Sequence, residues 1–383
     1  MNDNKMSFET FVEMAKGGIK SYLPEAYKEA DVSVKEMQKL NESYLGMTVA
    51  REGQVAVPNI NLTRHYQDYL SGDSLEQTFA HMAEQAQIEM PELKTGWLQD
   101  YEQVKEHLFI RVSNATENEA FLNHSPHRET DGLAVSYHIA FEGLGGVQAS
   151  TPITDNMLEM YGVTAEQLHA DALENSQRMF PAVYKSMTEV MMGIASEMGV
   201  DADMMPPMEG PQLMVLTNNQ STHGAGAIFY PGQMEEIAAH MESDFFVLPS
   251  SVHEVLILPD DGQTDYRDLQ MMVQQINAAE VAPSDRLSDH VYHYDVSDHV
   301  LEKAETFEQR MEEKEKLHQQ SAEKTALSGK ESPASMDHVR RARDEDRKPE
   351  RKSVLQRLNE KKEQVKAQPK KDIPNRNRGA ALE

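Results

Sequence analysis

The chain has 383 residues, 39 % hydrophobic and 26 % charged, enough for a large folded body with a polar segment attached. Of its 37 basic and 64 acidic residues, 21 and 17 lie in residues 301–383, which leaves 16 basic and 47 acidic in residues 1–300, a net of −31 there against −27 overall. Such a body repels phosphate backbones, which argues against generic nucleic-acid binding; the lack of cysteine excludes disulfides, thiolate metal sites, iron–sulfur clusters and a Cys nucleophile.

The first ten residues carry Asp3, Lys5 and Glu9 with no apolar run after them, and no stretch reaches the length of a membrane span. A cytoplasmic location without membrane contact is the expectation. Ser7 caps a helix whose apolar face is Phe8, Phe11, Val12, Ala15 and Ile19, ended by Leu23-Pro24. Val32 and Val34, then Leu45, Met47 and Val49, alternate with polar residues and predict two strands of a meander or hairpin. Val55 to Leu62, interrupted by Pro58, predicts an edge strand or an irregular lead-in. Helices follow over Thr63–Leu70 and after Ser74, which with Gln77 forms a capping-box pattern.

Leu108–Val112 predicts a strand, followed by a polar loop that holds His124, His127 and Arg128. The clearest strand comes next: Leu133, Val135, Tyr137, Ile139 and Phe141 on one face, and Ala134, Ser136, His138 and Ala140 on the other, with one face open to solvent. Two helices divided by Gly162 follow, the longer opened by Thr164 and Gln167. The Met-rich stretch through Met191, Met192, Met198, Met204, Met205, Met208 and Met214 reads as core filler, and Pro206-Pro207 with Gly210-Pro211 as a linker. Beyond it the pattern predicts strands at Gln212–Leu216, Gly226–Phe229, Phe245–Leu248 and Val252–Leu258, with helices at Gly232–Met241 and Tyr266–Ala279. Hairpins mixed with helices favour an α+β fold with mixed or antiparallel sheets over a parallel, doubly wound one.

The expected organisation is an N-terminal α+β region (1–210), a strand-hairpin and helix region of the same body (211–300), a solvated helix (301–325) and a disordered charged tail (326–383). That tail lacks aromatic residues altogether, and Ser353–Val365 could form a short helix within it.

No catalytic template is complete. His253-Glu254 lacks the second histidine of a zinc protease, since position 257 is Ile257. On a strand these two side chains point to opposite faces, so one is inward and needs a partner. Ser250-Ser251 beside His253 has no third group. His127 beside Pro126 cannot share a helical face with His124, and Arg128 suits an ion pair or an anion. The run Asp289, His290, His293, Asp295, Asp298 and His299 reads as an acidic strand end. Gly143, Gly145 and Gly146 do not make a dinucleotide fingerprint, and there is no P-loop or nucleophile elbow. The binding candidates are His127, Arg128, Ser251, His253 and Glu254; no catalytic residue, metal ligand or cofactor is assigned.

Three stretches, PNINLTRHYQDYL (58–70), NHSPHRETDGLAVSYHIAF (123–141) and VLTNNQSTHGAGAIFYPGQMEEIAAHMESDFFVLPSSVHEVLILPDD (215–261), with NAAEVAPSDRLSDHVYHYD (277–295), resemble the bacterial domain-of-unknown-function family numbered 5688. A more distant likeness is to the unassigned family numbered 1444. KSVLQRLNEKKEQVKAQPKK resembles the C-terminal tails of proteins encoded on conjugative elements. The resemblance implies a mobile-element accessory protein and transfers no catalytic residue. The leading expectation is a non-catalytic binding protein with an unknown protein partner. The alternatives are a metal-assisted hydrolase using His127, His253 and Glu254, and an acidic nucleic-acid mimic that blocks a DNA-binding enzyme.

Overall fold

The structure is a computed structural model that describes residues 5–54, 57–89, 96–141, 149–199 and 213–328. These residues form an α+β fold with three antiparallel sheets.

The first layer is N-terminal. Ser7 Oγ accepts the Thr10 N–H and starts α1 (Phe8–Gly18), which buries Phe11, Val12 and Ala15. Strands β1 (Asp31–Lys39) and β2 (Glu42–Ala50) make a long hairpin, and β3 (Ile60–Asn61) adds a two-residue third strand. Gly46 is required where β3 joins, because a Cβ there would lie 2.3 Å from the Asn59 side chain. The segment is thus an irregular lead-in over 57–59 ending in a two-residue strand, Ile60–Asn61; Val55 and Ala56 lie outside the described residues. Asn61 caps α2 (Leu62–Ser71), and the Ser74–Gln77 capping box starts α3 (Leu75–Ala86). Phe11, Ile19, Met47, Ile60, Leu62 and Met82 are fully enclosed in this layer's own core.

The second layer runs through α4 (Tyr101–Val104), β4 (Leu108–Asn114), α5 (Glu119–Leu122), β5 (His127–Thr130), β6 (Leu133–Phe141) and β7 (Ala149–Pro152). Strand β6 is central: β4 pairs along one side, while β5 and β7 share the other. His127–Thr130, expected in a loop, is therefore a strand, recruited by pairing with Leu133–Ser136 that no local pattern announces. Helices α6 (Asp155–Tyr161) and α7 (Ala165–Met179) follow, with Gly162 left-handed between them. Helix α7 covers the open edge of β4: Ser176 Oγ accepts the Ile110 N–H at 2.9 Å, and Asn175 Nδ2 donates to the Leu108 carbonyl at 2.7 Å. Strand β6 is enclosed on both faces, not one: Ser136 and His138 are buried, under Phe121 and Phe109.

The third layer is a six-stranded sheet ordered β13-β12-β10-β11-β9-β8. Its elements in chain order are β8 (Ala182–Ser186), α8 (Met187–Glu197), β9 (Met214–Asn218), α9 (Gln233–Met241), β10 (Phe245–Leu248), β11 (Val255–Pro259), α10 (Tyr266–Ala279), β12 (Tyr292–Asp295), β13 (Val300–Lys303) and α11 (Ala304–Ser328). Strand β8 precedes the proline-rich stretch and β9 follows it, yet they pair in one sheet. One sheet face, with Phe245, Val247, Val255 and Ile257, shares a core with Ile110, Val135 and Tyr137 of the second layer. The other, with Phe246, Leu248 and Leu258, packs on Leu269 and Val273 of α10.

Two expected strands change here. Gly224–Phe229 is a 3-10 turn, because Gly224 is pressed so closely that a Cβ would lie 2.2 Å from Thr217 Oγ1 and 2.6 Å from the His253 carbonyl oxygen. Strand β11 begins at Val255, not Val252. The Val252 N–H goes to the Asp285 carbonyl, and the His253 carbonyl accepts from the Gly224 N–H and the Thr217 hydroxyl of β9, so this segment is held by loop backbones and a side chain instead of ladder hydrogen bonds. The terminal helix is preceded by β13, and its first turns are not solvated: Ala304 is buried and Phe307 stacks on His293 at 3.8 Å. Met191, Met192 and Met198 of α8 and its end are exposed, against the core reading, whereas Met214 is buried in the core as expected. Met204, Met205 and Met208, the Pro206–Pro211 linker, most of the tail and its Ser353–Val365 segment lie outside the described residues. No helix among the described residues is long and apolar enough to cross a membrane.

Candidate functional site

The chemistry-bearing residues converge where the β4–β6 face meets the loops that follow β9 and β10. His253 stands in the turn before β11. Its Nδ1 accepts the backbone N–H of His223 at 3.2 Å, so its proton sits on Nε2, which faces Asp285 Oδ1 at 3.6 Å. Its own N–H is held by Ser251 Oγ at 3.0 Å, and its carbonyl by Thr217 Oγ1 at 2.8 Å. Ser251 is buried, and it pairs with Arg286 across a single β-bridge. Glu254 is half-buried in the same turn.

His223 ends a loop built on Asn218, whose Nδ2 donates to the Thr222 carbonyl and whose Oδ1 accepts the Gln220 N–H. Ser221 and His223 both hold left-handed backbones, φ 52° and 51°. Such conformations cost about 1–3 kcal/mol each for a residue with a Cβ, and they persist only where surrounding contacts fix them. Here the fixing contact is the His223 N–H on His253. The two rings lie 5.4 Å apart, tilted by 41°.

Arg111 approaches from β4. In register it stands opposite Ser136, with Phe109 opposite His138, so Arg111, Ser136 and His138 share one sheet face. Nη2 donates to Ser150 Oγ at 3.1 Å, and the guanidinium lies over the Phe109 ring at 5.5 Å. Its Nε is buried with no hydrogen-bond partner, and no carboxylate among the described residues pairs with it. Burial pulls its pKa down to about 10, so it stays protonated at neutral pH.

The neighbouring imidazoles sense this cation. Burial first, then Arg111, then His223, hold His138 well below the usual imidazole range. Burial, Arg111 and His253 push His223 down to about 4, against a weaker upward pull from Asp285. His138 also shares a hydrogen bond with Ser136 Oγ at 3.0 Å and stacks on Phe121. At neutral pH the site therefore combines a guanidinium that no described carboxylate pairs with and the neutral imidazoles of His138 and His223, inside a strongly acidic chain.

Of the residues singled out from sequence, Ser251 and His253 belong to this site, and Glu254 flanks it. His127 lies opposite Ser136 on the far side of β6, on the same face as Arg111 but two strands away, about 10 Å. Its Nδ1 bonds the Ser125 carbonyl, and its Nε2 lies 3.5 Å from Glu129. Arg128 points to the opposite face, where its charge acts on Tyr137 and His169. Among the described residues no three His, Asp or Glu side chains are placed to hold a metal ion; His127, His253 and Glu254 form no such group. Sequence reasoning did not single out Arg111 and His223. A lone arginine in the apolar run Leu108–Val112 was the available signal for the first; nothing local marks the second.

Fold and site together define an α+β protein of three antiparallel sheets with an arginine–histidine cluster where one face of the second sheet meets loops of the third layer. The model of a family of unknown function (DUF5688) matches residues 8–296, and the chain belongs to that family. Neither a curated protein nor a solved structure matches it.

Proposed function

We propose that the protein is a non-catalytic binding protein whose ligand seats at the Arg111–His223–His253 cluster. The commitment of His253 carries this reading. It is the most enzyme-like group in the chain, yet one ring nitrogen accepts the His223 N–H and the other faces Asp285. It is a strut for the His223 loop and has no nitrogen left to take a proton from a nucleophile. Ser251 Oγ accepts the His253 backbone N–H, which holds it against that turn, and among the described residues no ring nitrogen bonds it as a base for its proton. A metal-assisted hydrolase at His127, His253 and Glu254 has no grouped donor set in its favour.

The setting we propose is a bacterial mobile element, on the strength of the tail's resemblance to those of conjugative-element proteins, with a protein partner recruited by the acidic body. The test is the full chain screened by thermal melt against small metabolites, alongside ester, amide and phosphoester substrates. The reading expects a ligand-specific rise in melting temperature with no turnover. Turnover that disappears in His253→Ala would contradict it.

A further inference from the structure

We infer that the Arg111 cluster is an oxyanion site: it takes a phosphate or carboxylate group of a small molecule, gripped by the Arg111 guanidinium and completed by His223. The inference rests on the binding reading above and adds the chemical class of the ligand.

Four observations converge. First, the chain is acidic overall, 64 carboxylate residues against 37 basic ones, yet no carboxylate among the described residues pairs with this largely buried guanidinium. Buried cations are normally paired, so a missing partner points to a missing anion. Second, the donor left unsatisfied is Arg111 Nε, next to the Nη2 that Ser150 orients. A guanidinium whose plane is fixed before binding presents a fork that matches an oxyanion. Third, the groups around it are Ser136, His138 and His223, neutral side chains that can donate a hydrogen bond to an anion and bring no negative charge to repel it. Asp285 faces His253 Nε2 at 3.6 Å, and its pull on His223 is weaker than that of burial, Arg111 and His253. Fourth, His223 is held in a left-handed conformation by the His253 ring, so its position is set before any ligand arrives. The same arrangement disfavours a metal cation, which would meet a protonated guanidinium and, among the described residues, no group of three His, Asp or Glu placed to hold it.

The test is calorimetric titration of the full chain at pH 7.5 with sodium phosphate and, separately, sodium acetate, against sodium chloride at matched ionic strength. Wild-type protein is expected to bind at least one of the two oxyanions, and Arg111→Gln to bind it at least tenfold more weakly with an unchanged far-UV circular dichroism spectrum. Phosphate binding without acetate binding assigns a phosphate ligand, and the reverse a carboxylate. Should Arg111→Gln not fold, the wild-type chain supplies the second readout. Histidine ring resonances, assigned with His223→Asn, are expected to shift for His223 on adding the oxyanion and not on adding chloride. Binding of neither oxyanion above the chloride level, or equal binding by a folded Arg111→Gln, overturns the inference. If a neutral metabolite binds while both oxyanions fail, the ligand class falls and the binding reading stands. If an oxyanion ester binds and is turned over, the binding reading falls and the oxyanion site stands.

Discussion

At the scale of single residues the site is a set of histidines doing unlike work. His253 is structural: removing its ring leaves the His223 N–H without an acceptor inside the loop. His253→Ala is expected to lower unfolding free energy by about 2–3 kcal/mol, while His253→Asn, whose amide oxygen can stand in for Nδ1, should lose roughly half of that. Urea midpoints at pH 7 check the order, and equal losses would remove the strut role. His223 and His138 are the titrating pair. Both are depressed by burial and then by Arg111, and His223 is pushed to about 4. The unfolded chain therefore binds protons that the folded chain refuses. The stability the His223 ring contributes is complete above about pH 6.5 and is lost as pH falls toward 4, and His138 acts in the same direction. About 2 kcal/mol is expected from His223 over that window, after allowance for the part of the ring still open to water. Urea midpoints between pH 7 and 4.5 measure it, and His223→Asn should flatten the profile. Helix caps at Ser7, Ser74 and Thr164 were legible in the sequence because capping is settled within four residues. Arg111 and His223 were not, because β-sheet register and a loop closed on Asn218 bring them together from 112 positions apart.

At the scale of elements, the tip of the β1–β2 hairpin reaches the site from the N-terminal layer. Asn41, left-handed at φ 59°, donates to the Ser284 carbonyl at 3.1 Å and the Arg286 carbonyl at 2.9 Å, the residues on either side of Asp285. Asn118 Nδ2 donates back to Asn41 Oδ1 at 2.7 Å. Leu40 beside it packs among Phe121, Leu122 and Ala134, and Phe121 stacks on His138. One hairpin tip thus braces both walls of the site. Asn41→Gly, which keeps the backbone conformation and removes the amide, is expected to cost about 1–2 kcal/mol; Asn41→Ala, which adds strain, about 2–4. Hydrogen exchange should show faster opening of residues 283–288 in both, and unchanged exchange there would break the link. Hairpins were legible from alternation, as β1 and β2 show. Strand β5 and the 3-10 turn at Gly224–Phe229 were not, since each is decided by a distant neighbour: β6 for one, Thr217 and His253 for the other.

At the scale of the whole molecule, an acidic α+β body encloses a cation that nothing described in it neutralises. The α+β class followed from the order of hairpins and helices, and the family from the blocks that carry its likeness, because both are spread over most of the chain. The site was half legible: His253 and Ser251 stand out by type, whereas their role as supports depends on which nitrogen faces which loop. The central claim is that Arg111 is kept for binding and not for stability. The most direct measurement is the urea unfolding free energy of Arg111→Met against wild type, in chloride buffer free of phosphate and carboxylates. Taking a guanidinium out of a largely buried setting removes its desolvation penalty, so the account predicts unchanged or higher stability, by about 1–2 kcal/mol. A loss of more than about 2 kcal/mol would mean that the protein itself satisfies Arg111, and would contradict the account.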